Sequence, residues 1–242
     1  AEQDIAVNIL EFNHDTPTDG GTEPNATFGM AVARKVTVDG DTNYVANQIY
    51  QISGDVGNRP GGMNELVSME TTESNYSGAT VMHMFLDTVY AQCLPEDLRN
   101  IIVPVDKKTS AGNRSSTINI RSEKLFLFTE VELFGHYYKE SDGTITEQGH
   151  NRGERSTQYG YLYSFAGEGY QYGYYSDVND PANTRLLKNR LLRYDDWWLA
   201  SPRANMSSIF CGVNYSGFAG SDYYYYNEAN YYRGVSFGFT IR

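Results

Sequence analysis

The end of the chain constrains the fold more than any other stretch, because apolar residues there occupy every second position. These residues are Val235, Phe237, Phe239 and Ile241. Successive side chains of a β-strand point to opposite faces, so a period of two predicts a strand that buries one face. Gly234 stands directly before it, where a tight turn favours glycine. We therefore expect a C-terminal strand that contributes to the core.

Tyrosine crowds the segment that leads into this strand. Six tyrosines and two asparagines fall between Tyr223 and Tyr232, and the chain holds 21 tyrosines among 242 residues. Tyrosine offers a broad ring, a polar hydroxyl and few torsions to freeze, and loops that bind proteins or glycans are often built from Tyr, Ser, Gly and Asn. A binding surface would account for this composition. A tyrosine-rich β face packed inside the domain would also account for it.

The charge of the chain excludes one class of partner. Thirty acidic residues stand against 19 basic ones, a formal net charge of −11. Binding to nucleic acid needs clustered Lys and Arg that neutralise phosphates, so we expect no nucleic-acid partner. No apolar run reaches the roughly 18 residues of a membrane span, and the first ten residues lack the basic and hydrophobic regions of a signal peptide. We expect no membrane insertion.

Local patterns predict an α+β protein with mainly antiparallel β-structure and two helices. The first sixty residues read as irregular β-structure, with a strand or strand pair that ends at Val38 and a turn at Asp39-Gly40. An apolar stripe from Val81 to Val89 has helical spacing, and Pro95 ends that helix and begins a second one. Strands flank these helices rather than alternating with them, which favours antiparallel pairing.

A buried strand and a capped helix are expected together in the middle of the chain. The apolar run Leu125–Phe128 predicts a strand buried on both faces. Thr129, followed by Glu132 three residues later, is the spacing of a capping box at a helix N-terminus. The chain has no repeat of fixed period and no low-complexity linker. We therefore predict a single domain over residues 1–242.

The sequence offers no candidate catalytic residue, metal ligand set or cofactor site. The four histidines, His14, His83, His136 and His150, are far apart, and each is expected at the surface or its boundary. Neither a Gly-x-Ser-x-Gly nucleophile motif nor a phosphate-binding glycine loop occurs.

Three shorter features are given ordinary structural interpretations. The tripeptide Glu23-Pro24-Asn25 matches one that sugar-binding lectins use to hold calcium, but here it is interpreted as a proline turn. Asp195-Asp196 is interpreted as a solvated turn or cap. Cys93 and Cys211 lack metal-ligand spacing and are expected to be buried thiols.

Several segments, in the same order, resemble the variable proteins of diversity-generating retroelements of phages and bacteria. The segments are "LPEDLRNIIVPVDKKTSAGN", "SEKLFLFTEVELFG", "AGEGYQY", "WWLASPR" (Trp197–Arg203), "FCGVNYSG" (Phe210–Gly217) and "RGVSFGF" (Arg233–Phe239). The resemblance covers Ile9 to Arg242 in patches. It implies a C-type lectin fold whose variable region, residues 197–242, is rewritten by adenine-directed mutagenesis.

The codons that this mutagenesis varies are of the asparagine type, and they never yield Lys, Gln, Glu, Met or Trp. From Leu199 onward the chain contains no Lys, Gln or Trp, and only Met206 and Glu228 fall outside the accessible set. The resemblance thus implies that these two residues are fixed. It also implies a set of varied, ligand-binding positions: Ala200, Asn205, Ser208, Ile209, Gly212, Asn214, Tyr215, Ser216, Phe218, Tyr223, Tyr225, Asn227, Asn230, Tyr231 and Tyr232.

The other marked positions of this region are expected to be scaffold. They are Trp197, Trp198, Leu199, Pro202, Phe210, Val213, Gly217, Gly234, Val235, Phe237 and Phe239. The implied function is binding, without catalysis, of a protein or glycan on a cell surface. The implied location is a virion tail or a cell surface, where display in several copies, as a homo-oligomer on a virion for example, would raise weak affinity through avidity.

Two other function classes stay open at this point. One is an invariant adhesin or lectin-like module with a fixed ligand. The other is an enzyme similar to the formylglycine-generating family, which would need a reactive cysteine pair.

Overall fold

The computed structural model describes residues 7–29, 34–38, 41–45, 80–110, 118–134, 159–160, 197–203, 206–213, 227–228 and 235–242. These residues form antiparallel β-sheets with a few short helices, and this confirms the predicted α+β class at that level. None of the helices in these ranges has the length and apolar character needed to cross a bilayer.

A five-stranded sheet joins the two ends of the described chain. It is built from β1 (Asn8–Phe12), β2 (Ala26–Gly29), β5 (Ile102–Val103), β8 (Leu125–Leu127) and β12 (Phe237–Ile241). The order is β1-β2-β12-β5, and β8 pairs with β12 beside β5. Strand β12 is therefore central, since it pairs antiparallel with β2 on one side and with β5 and β8 on the other.

The alternation predicted that β12 buries only one face, and this prediction is wrong. All residues from Val235 to Thr240 are buried. Phe237 and Phe239 pack into an apolar cluster with Met82 and Leu86 of the helical stretch Thr80–Cys93. Gly238 on the opposite face meets aromatic rings, so both faces of the strand are covered.

Glycine at position 238 is required by close packing on that second face. A Cβ atom there would lie 2.6 Å from Phe126 Cε2 and 2.6 Å from Phe128 Cζ. Such distances are shorter than non-bonded carbon contacts, so a larger residue would displace the rings. The small residues of "VSFGFT" thus make room for a second layer of aromatic side chains.

The helical segments lie where the sequence patterns predicted them. Helix α1 (Thr80–Met84) continues through a π-helical segment (Phe85–Tyr90) into α2 (Ala91–Cys93). Helix α3 (Glu96–Ile101) starts directly after Pro95, and α4 (Glu130–Phe134) follows β8. The backbone N–H of Thr129 donates to Glu132 Oε2 at 2.9 Å, and that of Glu132 donates to Thr129 Oγ1 at 3.2 Å. The predicted capping box is thereby confirmed.

Three smaller sheets complete the described architecture. Strands β3 (Arg34–Val38) and β4 (Asp41–Val45) pair in a register that leaves Asp39-Gly40 between them, as the predicted turn requires. Strands β6 (Val105–Ser110) and β7 (Ile118–Glu123) form a second antiparallel pair. The third sheet has the order β11-β10-β9, with β9 (Trp197–Arg203), β10 (Met206–Val213) and β11 (Asn227–Glu228).

Candidate functional site

Strands β9, β10 and β11 of the third sheet lie in the predicted variable region, residues 197–242, and so does strand β12 of the five-stranded sheet. Strand β9 lies against β6, β8 and α4, so one edge of this sheet rests on the body of the domain. The backbone N–H of Ala200 donates to the carbonyl oxygen of Phe128 at 2.8 Å. This bond fixes β9 to the chain between β8 and α4.

Aromatic packing joins β9 to β10. The rings of Trp198 and Phe210 meet edge to face, with centroids 6.3 Å apart and planes 86° apart. Both side chains are buried, and both belong to the main apolar cluster together with Phe237 and Phe239. An edge-to-face pair of this kind contributes about 0.5–1.5 kcal/mol beyond the area it buries.

The predicted scaffold positions are buried wherever the structure describes their side chains. These are Trp198, Leu199, Pro202, Phe210, Val235, Phe237 and Phe239. The side chains of Trp197 and Val213, and all of Gly217 and Gly234, lie outside the described residues.

The predicted binding positions fall into three groups. Ala200 is only 2% exposed and packs in the apolar cluster, and Gly212 is also buried, so neither offers a surface to a ligand. Ser208, Ile209 and Asn227 lie on β10 and β11, where the structure gives the backbone. The others lie outside the described residues: Asn205, Asn214, Tyr215, Ser216, Phe218, Tyr223, Tyr225, Asn230, Tyr231 and Tyr232.

In the pairing of β10 with β11, positions predicted to vary lie opposite positions predicted to be fixed. Ile209 is opposite Glu228, and Phe210 is opposite Asn227. Each cross-strand pair therefore combines one position predicted to vary with one predicted to be fixed. Strand β11 is thus held beside β10 by its backbone, whatever the varied side chains are.

The tyrosine-rich segment 214–234 begins and ends at buried structure. Phe210, Cys211 and Gly212 precede it on β10, and Val235 begins the buried run that follows. The described residues on both sides of the segment thus belong to buried structure.

A second arrangement, which sequence reasoning missed, is a buried cluster of charged groups around Lys107. The side chain of Lys107 is 4% exposed, and its Nζ donates to Asp15 Oδ1 at 2.9 Å, to Tyr159 Oη at 3.2 Å and to Glu132 Oε1. Nζ also lies 4.0 Å from the centroid of the Phe126 ring. All three N–H groups of the ammonium thus have acceptors, as a buried charge requires.

Asp15 is the most heavily bonded acid of this cluster. Its Oδ2 accepts hydrogen bonds from Thr27 Oγ1 at 2.6 Å and from Tyr159 Oη at 3.0 Å. Burial alone would raise the pKa of Asp15, but the Lys107 ammonium and the hydrogen bonds hold that pKa far below its usual range. Burial would likewise lower the pKa of Lys107, and the neighbouring carboxylates of Asp15 and Glu132 raise it instead.

Two neighbours complete the cluster. Burial and the adjacent carboxylates raise the pKa of Tyr159 well above its usual value, so its hydroxyl stays a donor. The ring of His14 lies 4.1 Å from that of Tyr159, with Nδ1 3.6 Å from Asp15 Oδ2. Burial opposes protonation of His14, but Asp15 outweighs it and raises the pKa.

His14, Asp15 and Glu132 also present ligand atoms within 4.8 Å of one another, the spacing of a metal site. The Lys107 ammonium touches both carboxylates, so it takes the position that a metal cation would need. Among the described residues, this cluster therefore favours an internal charge network over a metal centre.

A separate buried pair links α1 to β7. His83 is 6% exposed, which corrects its prediction as a surface or boundary residue, and its Nδ1 lies 3.5 Å from Glu123 Oε1. Burial raises the pKa of Glu123 to about 8 despite Arg121, whose Nε is 3.5 Å from the same oxygen. Burial and Arg121 lower the pKa of His83 to about 4. Although the distance is that of an ion pair, desolvation keeps both groups neutral near pH 6.

The Glu23-Pro24-Asn25 tripeptide and the cysteines, which were noted in the sequence, have structural environments where the structure describes them. Asn25, in Glu23-Pro24-Asn25, is buried and its Nδ2 donates to the backbone oxygen of Asp15 at 3.2 Å, which suits a structural turn. Cys211 is fully buried, and the side chain of Cys93 is outside the described residues.

Comparison with known proteins identifies a protein family. A family model described as a domain of unknown function (DUF6273) matches residues 42–242. No curated protein matches the chain. No solved structure matches it either.

Proposed function

The chain belongs to the DUF6273 family, and we propose that it is a ligand-binding display protein whose C-terminal surface is diversified by retroelement mutagenesis. In this proposal the domain has a C-type lectin fold. It binds a protein or glycan on a cell surface, as the receptor-binding part of a phage tail or as a displayed bacterial protein. It makes or breaks no bond in its ligand.

One observation carries the proposal: the tyrosine-rich segment 214–234 is bounded by buried structure on both sides. Phe210 and Cys211 are 1% and 0% exposed before it, and Val235 and Phe237 are both 0% exposed after it. A segment fixed at its ends by core packing can change its side chains without changing the framework. This is the property that a diversified binding loop needs.

The burial of the fixed positions adds support. Every predicted scaffold residue with a described side chain is buried, and the free-energy cost of replacing such residues is high. We leave Ala200 and Gly212 out of the proposed surface because they are buried as well. The surface is then assigned to Ser208 and Ile209 on β10, Asn227 on β11, and the varied positions of 205 and 214–232.

The composition of this surface suits recognition of many ligands. Tyrosine supplies rigid contact area at a low cost in conformational entropy, while Ser, Asn and Gly supply adaptable hydrogen bonds. A few buried aromatic anchors would provide most of the binding energy. Several copies on one particle would strengthen weak individual contacts.

The C-type lectin fold is supported by the general architecture. Antiparallel sheets, the helical stretch Thr80–Cys93 and helix α3 agree with the mainly antiparallel arrangement with two helices that the resemblance implies. The pairing of β1 and β2 with β12 brings both ends of the described chain into one sheet.

Sequencing the 3′ end of the gene in sister isolates tests the proposal. We expect substitutions concentrated at the proposed surface positions, drawn from residues that asparagine-type codons can reach. Met206, Glu228 and the buried scaffold should stay constant. Constancy at the surface positions, or changes there to Met or Lys, would instead favour an invariant adhesin.

A further inference from the structure

The buried Lys107–Asp15 contact has the components of a covalent cross-link as well as those of an ion pair. Nζ of Lys107 is 2.9 Å from Oδ1 of Asp15, and neither side chain is more than 5% exposed. The ring of Phe126 shields Nζ from one side. An amine and a carboxyl group held together without water can lose water to form an amide, because the enclosure supplies the proximity that the reaction lacks in solution.

The backbone holds the two residues opposite each other. Pro17 forms a bridge with Val105, the N–H of Asp106 donates to the Thr16 oxygen at 2.9 Å, and the N–H of Thr18 donates to the Pro104 oxygen at 3.0 Å. Antiparallel pairing in this register places residue 15 directly across from residue 107. The contact is therefore set by paired main chains and not by two long side chains that meet by chance.

We propose that Lys107 and Asp15 form an intramolecular isopeptide bond. In this step the bond from Nζ of Lys107 to Cγ of Asp15 forms, and the bond from Cγ to Oδ1 of Asp15 breaks. Two protons of the ammonium end on Oδ1, which leaves as water. The condensation consumes no oxidant, reductant or other reactant.

Glu132 is placed to carry the protons. Its Oε1 accepts a hydrogen bond from Nζ, so it can pass one proton from Nζ to Oδ1, which leaves a neutral amine and an uncharged carboxyl group. After Nζ attacks Cγ, Glu132 passes the second proton from Nζ to Oδ1, and water leaves. Its other oxygen is held by the N–H of Thr129, which fixes the orientation of the carboxylate.

Two hydroxyl groups are placed to stabilise the tetrahedral intermediate. Thr27 Oγ1 and Tyr159 Oη both donate to Oδ2 of Asp15, the oxygen that gains negative charge when Nζ attacks Cγ. Paired donors aimed at a developing oxyanion are the main electrostatic device of acyl transfer. Oδ1, the oxygen that leaves, faces the ammonium instead.

The bond would tie the loop after β1 to strand β6, and it would close a covalent loop through most of the first half of the domain. Such a cross-link reduces the freedom of the unfolded chain. The inference stands on the geometry of this cluster and does not depend on the proposed binding function.

Intact mass measured on the denatured full chain tests the inference. We expect a mass lower than the sequence mass by one water, together with a proteolytic fragment in which the peptides of Asp15 and Lys107 are joined. A chain at its full sequence mass would overturn the inference. So would a loss of water confined to one linear peptide, since that is cyclisation of an aspartate.

Variants separate the cross-link from side reactions. Lys107→Ala should restore the full mass, whereas Lys108→Ala, which alters the exposed next residue of the same strand, should keep the loss of water. Glu132→Gln keeps the size of the proton carrier and should yield the unlinked chain. A joined peptide in Lys107→Ala, or its absence in Lys108→Ala, would contradict the assignment.

Discussion

The ring of Trp198 stands nearly perpendicular to the ring of Phe210, and this contact joins strands β9 and β10. Both rings face the apolar cluster shared with helix α1 and β12. The framework of the proposed variable region is thus part of the apolar core.

Removing one ring of this pair should destabilise the whole domain. Phe210→Ala deletes a side chain that is 1% exposed, and we expect the free energy of unfolding to fall by about 3–5 kcal/mol. Ile209→Ala, at the adjacent proposed surface position, should change it by less than about 0.5 kcal/mol. Urea unfolding followed by tryptophan fluorescence measures both. Equal losses in the two variants would argue against the division into scaffold and surface.

The aromatic layer behind β12 predicts a steric effect of a single methyl group. Gly238→Ala would bring Cβ to 2.6 Å from ring atoms of Phe126 and Phe128, and we expect a loss of roughly 1–3 kcal/mol. Gly160→Ala is the matched control, because its nearest neighbour would be 3.5 Å away. Thermal unfolding of the two variants compares them. An unchanged midpoint for Gly238→Ala would mean that this layer is looser than described.

Replacing Thr129 with serine should preserve the capping box, whereas replacing it with alanine should disrupt it. Thr129→Ala removes the acceptor for the Glu132 N–H, so we expect a loss of roughly 0.5–2 kcal/mol in unfolding free energy. Thr129→Ser keeps a hydroxyl in the same place and should recover most of it. Denaturant titration measures the difference. Similar losses in both variants would point to the methyl group of Thr129 instead of its hydroxyl.

The raised pKa of Glu123 predicts that the free energy of unfolding falls as pH rises. Its pKa is raised from 4.5 to about 8 in the folded protein, so the folded state holds a proton that the unfolded state has released. The contribution of this proton to the free energy of unfolding is complete below about pH 4.5 and disappears by about pH 8. The lowered pKa of His83, about 4 against 6.5, opposes it only below pH 6.5.

The clearest window for Glu123 therefore lies between pH 6.5 and 8. We expect the unfolding free energy to fall there by roughly 1–2 kcal/mol because of this residue. The raised pKa of His14 acts in the same direction above pH 6.5, so the test is the difference between the native chain and Glu123→Gln. Glu96→Gln, an exposed acid, is the control. An identical slope in the native chain and Glu123→Gln would contradict the assignment.

Features fixed by local spacing could be predicted from the sequence. Thr129 and Glu132 lie three residues apart, and Asp39-Gly40 separates two strands, so one short segment contains all the information in each case. The position of strand β12 followed in the same way from its alternation. Burial of its second face did not, because Gly238 and Thr240 are small or polar and their neighbours come from distant segments.

The Lys107 cluster could not be predicted from local sequence patterns. Lys107 lies in the charged run "VDKK", which on its own indicates an exposed strand. Its partner Asp15 is 92 residues away, and Tyr159 comes from a third region. Only the pairing of the loop after β1 with β6 brings them together, and that pairing depends on tertiary structure. In the structure Val105, Lys107 and Thr109 are buried in alternation, but Lys and Thr are polar, so the sequence carries no apolar pattern that indicates it.

The central claim is that the C-terminal surface is rewritten by a retroelement, and the DNA beside the gene tests it most directly. Sequencing this region should reveal a near-repeat of the segment that encodes residues 197–242, with adenines at the codons of the proposed surface positions, next to a reverse transcriptase gene. A complete flanking sequence with no such repeat and no reverse transcriptase gene would contradict the account.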